Sequence, residues 1–280
     1  MVAQSANPAM PTLQRLVFLI VALVVLVGAG LFFAPALVAP RWPWSLTPFN
    51  ARFLGAVYLS ELFAVVVAVT VNRWAPARLL VPQAVMFTAV VTVASLLHLD
   101  RFDPQRSVTW LWFVLYTVPL LILAYYLWRY RHLPPAQPAP PEHVWRLYLL
   151  GQGAVLGLYG VGLFLAPGVF STFWPWPIDS FQGQVYSAVF LTGALGSFLL
   201  ARAAAPIEFL TMGLAQSIFG GFAIVGLAIV DAAVHRVTWS APGTWLWIGA
   251  FAIVLAAGLG LLWQARVAAR AGYGQGVAAP

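Results

Sequence analysis

Two residue types are missing from this sequence of 280 residues, and their absence excludes several kinds of chemistry. There is no cysteine, so disulfides, thiolate metal sites and cysteine nucleophiles are impossible. There is also no lysine, because all 14 basic residues are arginines. Schiff-base catalysis by a lysine and a lysine-type phosphate-binding loop are therefore excluded as well.

Charge of either sign is also scarce. Charged side chains make up only 8% of the chain and hydrophobic ones 62%, whereas a soluble domain is about a quarter charged and about half apolar. A surface with so few charges must mostly face lipid. The net charge of +7 comes from single arginines at the ends of apolar runs, so it does not indicate a nucleic-acid partner.

What the sequence does contain is eight apolar runs, each close to the roughly 20 residues that cross a bilayer. Because lipid offers no hydrogen bonds, each run must satisfy its own backbone, which predicts α-helices. We therefore predict an all-α integral membrane bundle of eight transmembrane helices. The predicted spans are Leu16–Phe33, Phe53–Val71, Leu79–Leu97, Thr109–Trp128, Leu147–Leu165, Val185–Ala201, Phe209–Val230 and Trp245–Trp263.

An internal repeat divides these helices into two units. Leu-Phe-Phe-Ala-Pro at 31–35 and Trp-Pro-Trp at 42–44 recur 132 residues later, as Leu-Phe-Leu-Ala-Pro and Trp-Pro-Trp. Thr-Trp-Leu-Trp recurs 135 residues apart. Because each unit holds four helices, both copies enter the membrane from the same side, which predicts a tandem parallel repeat. The units are 1–131 and 146–280, and a proline-rich cytoplasmic linker at 132–145 joins them.

The arginines predict the orientation. Cytoplasmic loops carry an excess of basic residues, and nine of the 14 arginines fall at one end of the predicted bundle. Both chain termini and the linker are therefore expected to be cytoplasmic. The nine residues are Arg15, Arg73, Arg78, Arg129, Arg131, Arg146, Arg202, Arg266 and Arg270.

Polar residues within the predicted spans are the first candidates for function. Glu61 lies well inside the second helix, and its counterpart in the repeat is Gly193. A charge at that depth costs at least ~2.5 kcal/mol, so we expect the carboxyl to be neutral, paired or facing a wet cavity. It could bind a proton, a cation or a polar substrate group. The simpler interpretation of Glu61 and of Gln83, Gln152 and Gln216 is hydrogen bonding between helices; the alternative is a polar cavity.

A second set of polar residues lies at the outer ends of helices 3 and 7. His98, Asp100 and Asp103 follow one helix, and Asp231 and His235 end the other. Histidines with carboxylates suit a divalent metal or a proton relay, and a haem bound by both histidines is a remoter alternative. Since the spacing matches no metal-binding motif, solvated helix ends are the simpler interpretation, and we assign no metal. Any other cofactor is unknown.

Two further features concern packing. The repeated tryptophans, Trp42, Trp44, Trp174 and Trp176, are expected to anchor the bundle at the headgroup layer, where indole rings are favoured; an aromatic ligand cage is the alternative. The second unit is rich in glycine, which allows helices to approach closely. We therefore predict that helices 5 to 7 pack tightly, with an interface to a second copy or another subunit as the alternative.

One segment carries a resemblance. Residues 42–56, Trp-Pro-Trp-Ser-Leu-Thr-Pro-Phe-Asn-Ala-Arg-Phe-Leu-Gly-Ala, and residues 98–103 resemble parts of uncharacterised multi-pass membrane proteins of bacteria. The resemblance implies location in a bacterial inner membrane and implies no activity. In the second unit Gln184 replaces Arg52, so we expect the role of Arg52 not to be repeated.

The sequence leaves three hypotheses of function. A non-enzymatic membrane protein that binds partners or scaffolds other membrane subunits, or pairs with a second copy of itself, agrees best with the few buried charges and many tryptophans. A transporter or channel for a small, mostly apolar solute would use Glu61. A membrane enzyme would use the outer His/Asp cluster as an extracytoplasmic metal site.

Overall fold

The protein is all-helical and crosses the membrane several times. The structure is a computed structural model that describes residues 7–133 and 141–277, so the middle of the predicted linker lies outside the described residues. Within these residues, eight helices are long and apolar enough to span a bilayer, and each contains one predicted span. In chain order, α1 to α8 are Thr12–Phe33, Pro48–Val71, Trp74–Leu97, Ser107–Tyr130, His143–Leu165, Ser180–Arg202, Pro206–Val234 and Pro242–Val277.

Local residue chemistry determines where the helices begin and end. Proline stands at the first position of α2, α7 and α8, where its missing N–H would have no helical partner anyway. Thr47 caps α2, and Asp179 with Gln182 forms a capping box at the start of α6. Asn72 and His235 adopt left-handed backbone conformations that end α2 and α7.

Helices α1 and α5 end in the same way. Each is followed by one alanine and then by a four-residue helix that starts with proline, at Pro35–Val38 and Pro167–Phe170. The alanines, Ala34 and Ala166, have φ/ψ values of −136°/56° and −137°/61°. Proline disfavours a helical conformation of the residue before it, which explains why both helices break at this point.

The helices form a central group of four and an outer group of four. The inner helices are α2, α3, α6 and α7, and the extensive contacts between the units are α2 with α7 and α3 with α6. Each outer helix packs on one inner helix: α1 on α2, α4 on α3, α5 on α6, and α8 on α7. Each main contact between the units thus joins the second helix of one unit to the third helix of the other.

The glycines of the second unit produce close packing, and only part of it is between the helices that we predicted. A Cβ atom on Gly160 would clash with Leu191, so this glycine lets α5 approach α6. Gly213 and Gly220 bring α7 against the backbone of α8, not of α6, and α6 makes only a small contact with α7. The expected tight α6–α7 contact is therefore wrong, because α6 packs on α3 of the first unit.

A buried ion pair joins the two units at the arginine-rich end of the bundle, where α3 and α7 begin. Arg78 Nε donates to Glu208 Oε1 at 2.7 Å, and Arg78 Nη2 donates to Glu208 Oε2 at 2.9 Å. The side chain of Glu208 is 0% exposed and that of Arg78 is 16% exposed. Glu208 Oε2 also accepts from the backbone N–H of Ala205, so the carboxylate caps the helix that carries it. Sequence patterns do not single out Glu208, because an acidic residue is common in the first turn of a helix.

Removing Arg78 should destabilise the protein strongly. The Arg78→Leu variant leaves Glu208 buried without its counter-charge, and breaking a buried pair in this way costs about 3–5 kcal/mol. We expect a clearly lower thermal midpoint in detergent micelles. The double variant Arg78→Leu/Glu208→Gln should recover most of the loss, because no charge is left unpaired. Arg202→Leu is the control, since this arginine of the same end is exposed; an equal loss there would contradict the assignment.

Candidate functional site

The largest cavity that we describe lies within the second unit. It has a volume of about 590 Å³ and is enclosed by α5, α6, α7, α8 and the loop that carries Trp174. Ligand cavities for small molecules are typically of this kind, mostly apolar with a few polar groups. The lining residues are Tyr148, Gly151, Gln152, Val155, Leu156, Tyr159, Phe173, Trp174, Val189, Phe190, Gly193, Gln216, Phe219, Leu246, Trp247, Ala250, Phe251, Ile253 and Val254.

The cavity lies between two contacts of α8, one with α5 and one with the loop that follows α5. Gly260 of α8 lies against Trp145 at one end, and Gly243 lies against Phe173 at the other. Between these contacts, a Cβ atom on Gly151 would meet no atom within 4 Å. Small residues often allow two helices to pack closely. At this site they leave an open space instead.

The cavity faces lipid between α5 and α8. Val155 of α5 is 66% exposed and Ile253 of α8 is 61% exposed, and both line the cavity. Leu246, also a lining residue, is exposed as well. Because these exposed residues belong to membrane-spanning segments, the molecules that reach the cavity from this side are those dissolved in the bilayer.

A hydrogen-bond network joins three helices at the cavity. Gln152 Oε1 accepts from Ser197 Oγ at 3.0 Å and from Gln216 Nε2 at 3.2 Å. Gln152 Nε2 donates to the hydroxyl of Tyr148 at 3.1 Å. This network fixes the orientation of both amide groups and links α5, α6 and α7.

Two polar atoms of the cavity wall lack a hydrogen-bond partner among the described residues. They are Gln216 Oε1, an acceptor, and Trp247 Nε1, a donor. Gln216 is 6% exposed and Trp247 is 1% exposed, so lipid and bulk water do not satisfy them. A buried polar group without a partner costs about 1–3 kcal/mol. The cavity wall is therefore almost wholly apolar, and neither of these two atoms is exposed at its surface.

A smaller cavity lies within the first unit. Its volume is about 80 Å³, and α1, α2, α3 and α4 contribute its walls. Glu61 lines it, together with Tyr58 and Tyr116, whose hydroxyls are 2.7 Å apart. In the sequence repeat, Glu61 aligns with Gly193, a lining residue of the larger cavity.

Glu61 has no hydrogen bond or ion pair with any described residue, although it is half-buried and lies in a membrane-spanning helix. The expected bond to Gln83, Gln152 or Gln216 is absent among the described residues: Gln83 donates to the Thr192 carbonyl at 3.3 Å, and the other two form the network above. The carboxyl faces an apolar cavity instead. Since a charge there costs at least ~2.5 kcal/mol, we expect it to be neutral.

The outer His/Asp residues have separate partners. His98 Nε2 lies 2.7 Å from Gln184 Oε1. Asp231 accepts from two backbone N–H groups and from Trp239 Nε1. Asp103 accepts from the N–H of Gln105, and Asp100 and His235 are exposed. Among the described residues, no group of three or more His, Asp or Glu side chains could hold a metal ion.

The repeated tryptophans do not contact the headgroup layer as we expected. Trp42, Trp44, Trp174 and Trp176 are all buried, with exposures of 5% to 8%, so that expectation is wrong. The loops fold back over the ends of the helices, and the rings pack edge-to-face on other aromatic residues: Trp44 on Trp112 and Phe181, and Trp176 on Trp174 and Trp247. The most exposed tryptophans are Trp110, Trp128, Trp245 and Trp263, which all lie in membrane-spanning helices.

Asn50 connects these aromatic residues across the two units, which the sequence did not indicate. Its Oδ1 atom accepts from Trp176 Nε1 at 2.8 Å and from the hydroxyl of Tyr186 at 3.0 Å. Asn50 belongs to α2, whereas both donors belong to the second unit. Its position at the start of an apolar helix looked like an ordinary solvated helix end.

The role of Arg52 is repeated, contrary to our expectation. Arg52 donates to the carbonyl of Phe32, and Gln184 donates to the carbonyl of Phe164 at 3.0 Å. Both carbonyls lie in the last turn of a helix, where backbone acceptors lack helical partners. An arginine and a glutamine both carry N–H donors on long side chains, so either residue type can make this contact.

No family model, curated protein or solved structure matches this chain. What the cavities can bind must therefore be inferred from their own residues.

The exposure of Glu61 to its apolar cavity can be tested by chemical labelling. Dicyclohexylcarbodiimide is apolar and reacts with neutral carboxyls in apolar surroundings, so it should modify Glu61 in the purified protein. Peptide mass spectrometry should find the adduct at this residue, and Glu61→Gln should abolish it. Glu208 is the internal control, because its carboxyl is 0% exposed and bound by Arg78, which shields it from the reagent. Labelling of Glu208 in preference to Glu61 would contradict the assignment.

Proposed function

We propose that this chain is a non-enzymatic membrane protein that binds a small, mostly apolar molecule from the bilayer. The observation that carries the proposal is the cavity of about 590 Å³ between α5, α6, α7 and α8, with exposed apolar residues of two membrane-spanning helices at its rim. A molecule that partitions into lipid can reach such a site without crossing water. The first hypothesis from the sequence left the kind of partner open, and this proposal specifies a small molecule.

The second hypothesis, transport with Glu61, and the third, an extracytoplasmic metal enzyme, have less support. Glu61 lies in the smaller cavity of the other unit. The outer His/Asp residues have the separate partners described above. Binding to other membrane subunits or to a second copy stays a prediction from the sequence.

The proposal includes a tandem parallel repeat. Several contacts occur in pairs at the spacing of the sequence repeat. Thr109 and Thr244 donate to the carbonyls of Asp103 and Thr238. Likewise Trp110 and Trp245 donate to the carbonyls of Pro104 and Trp239. Together with the paired breaks after α1 and α5, these contacts support units at 1–131 and 146–280 that share one backbone arrangement. If the two units are repeats, the proposed binding cavity belongs to the second unit only.

The proposed location is a bacterial inner membrane with both termini and the linker in the cytoplasm. The chain has no cysteine, so a single introduced cysteine is the only thiol. Glu142→Cys, within the linker, should react with a membrane-impermeant maleimide only after spheroplasts are permeabilised. Gln105→Cys, in the loop between α3 and α4, should react in intact spheroplasts. The reverse pattern would contradict the orientation and leave the binding site unaffected.

Filling the cavity should abolish binding. A hexadecane chain with a diazirine can be photoactivated in lipid nanodiscs that hold the protein. In the wild type, labelling should concentrate on Val155 and Ile253 relative to Leu158, which faces lipid and does not line the cavity. The Gly151→Phe variant places a ring in the open space and should reduce the excess labelling about tenfold.

Gly249→Phe is the matched control for this experiment. Gly249 lies on α8, a Cβ atom there would meet no atom within 4 Å, and the residue does not line the cavity. Labelling in this variant should equal that of the wild type. Uniform labelling of Val155, Ile253 and Leu158 in the wild type would refute the proposed function.

A further inference from the structure

Glu61 gives the smaller cavity of the first unit a chemistry that the larger cavity lacks. Among the described residues that line it, Glu61 is the one acidic side chain and none is basic. The carboxyl has no hydrogen-bond or ion-pair partner among the described residues. Unlike the free atoms of the larger cavity, it belongs to a side chain that is only half-buried. A ligand in this cavity can therefore supply the missing partner.

Four aromatic rings line the same cavity. They belong to Phe18, Tyr58, Phe87 and Tyr116. The centres of the Phe87 and Tyr116 rings are 6.4 Å apart, and Tyr58 precedes Glu61 by three residues on α2, which places both on one face of the helix. Aromatic faces attract cations, and the tyrosine hydroxyls can accept hydrogen bonds. A carboxyl surrounded in this way suits an ammonium group.

The cavity is closed toward water and is reached from lipid. At one end, the rings of Trp42 and Trp112 pack on the two tyrosines. Toward the arginine-rich end, the lining residues Val65 and Leu80 belong to a packed apolar cluster. Ile20 of α1 also lines the cavity and is 53% exposed, and α1 makes only a small contact with α4. The molecules that reach Glu61 are therefore those dissolved in the bilayer.

A base is the class of bilayer-soluble ligand that a carboxylic acid selects. An amine enters lipid in its neutral form, because a charge there is costly. At Glu61 the carboxyl O–H bond breaks and the lone pair of the amine nitrogen takes the proton, so that a carboxylate and an ammonium form together without net charge. Hydrogen bonds between charged groups are stronger than neutral ones. An alcohol, an ether or an ester can form only the neutral kind with this carboxyl.

The volume of the cavity limits how much of the ligand it holds. About 80 Å³ is well below the roughly 300–1,000 Å³ of sites that enclose a drug-sized molecule. The amino group and the carbons next to it can enter, while the rest of the molecule stays in lipid beside Ile20. A quaternary ammonium is bulkier, carries a permanent charge and cannot take the proton, so a primary amine fits best.

We propose that Glu61 binds the amino group of a lipid-soluble primary amine, with the aromatic rings of the cavity around the ammonium that forms. The site lies in the first unit and is independent of the cavity on which the proposed function depends. Either can therefore fail without the other.

Photolabelling of the protein in nanodiscs tests the amine site. The probe is hexadecan-1-amine with a diazirine close to its amino group. Labelling should concentrate on Ile20 relative to Leu23, which is also exposed on α1 but does not line the cavity. Unlabelled hexadecan-1-amine should remove this excess at a concentration about tenfold lower than hexadecan-1-ol requires, because its hydrogen bond is charge-assisted. The hexadecyltrimethylammonium ion should not compete.

A single substitution identifies the acid. Glu61→Gln keeps the size of the side chain but cannot give up a proton, so it should reduce the excess labelling of Ile20 about tenfold, to the level of neutral hydrogen bonding. Glu142→Gln is the matched control, because it removes an exposed carboxyl that does not line the cavity, and its labelling should equal that of the wild type.

Three results would overturn the inference. They are equal labelling of Ile20 and Leu23 in the wild type, equal competition by the amine and the alcohol, and an excess that persists in Glu61→Gln. If that variant does not fold, the competition in the wild-type protein decides alone. None of these results affects the labelling of Val155 and Ile253 by the hydrocarbon probe, which tests the proposed function separately.

Discussion

The lack of hydrogen-bonding groups in lipid is the constraint on which the structure depends. It forces every spanning segment to be helical, and it requires a partner within the protein for each polar group that leaves the membrane surface. The solutions differ with position. At the arginine-rich end a full charge is paired, Arg78 with Glu208. At the opposite end, the amide of Asn50 receives an indole and a phenol from the other unit. Both contacts join the units at places where apolar packing alone would not specify how the units are arranged.

The same constraint makes the exceptions informative. Several buried polar atoms of the spans lack a partner among the described residues, including both amide atoms of Gln14, but Glu61 and Gln216 are side chains that also line cavities. Both face cavities, and a cavity is where a molecule from outside can provide the missing partner. An unpaired group in a packed interface would only reduce stability, whereas an unpaired group on a cavity wall gives that wall a preference among ligands.

The sequence was sufficient for the eight helices, because length and apolarity alone determine them. It was insufficient wherever the answer depended on which helices touch. The tryptophans of the two Trp-Pro-Trp segments have the composition of headgroup anchors, yet Trp44 and Trp176 pack inside because the loops fold back over aromatic residues of distant helices. Glycine content indicated close packing but not its partner. No pattern within a single helix could indicate the cavity, since four helices and a loop form it together.

The two cavities differ in size and in lining, and the proposed function depends on that difference. Each lies among the four long helices of its own unit. In the sequence repeat, Glu61 and Tyr58 of the first align with Gly193 and Phe190 of the second. Filling a cavity stabilises a bundle through added van der Waals contacts, so the second unit forgoes stability that the first retains. Such a loss is expected where the open space is used, and this is the physical reason to assign binding to the second unit.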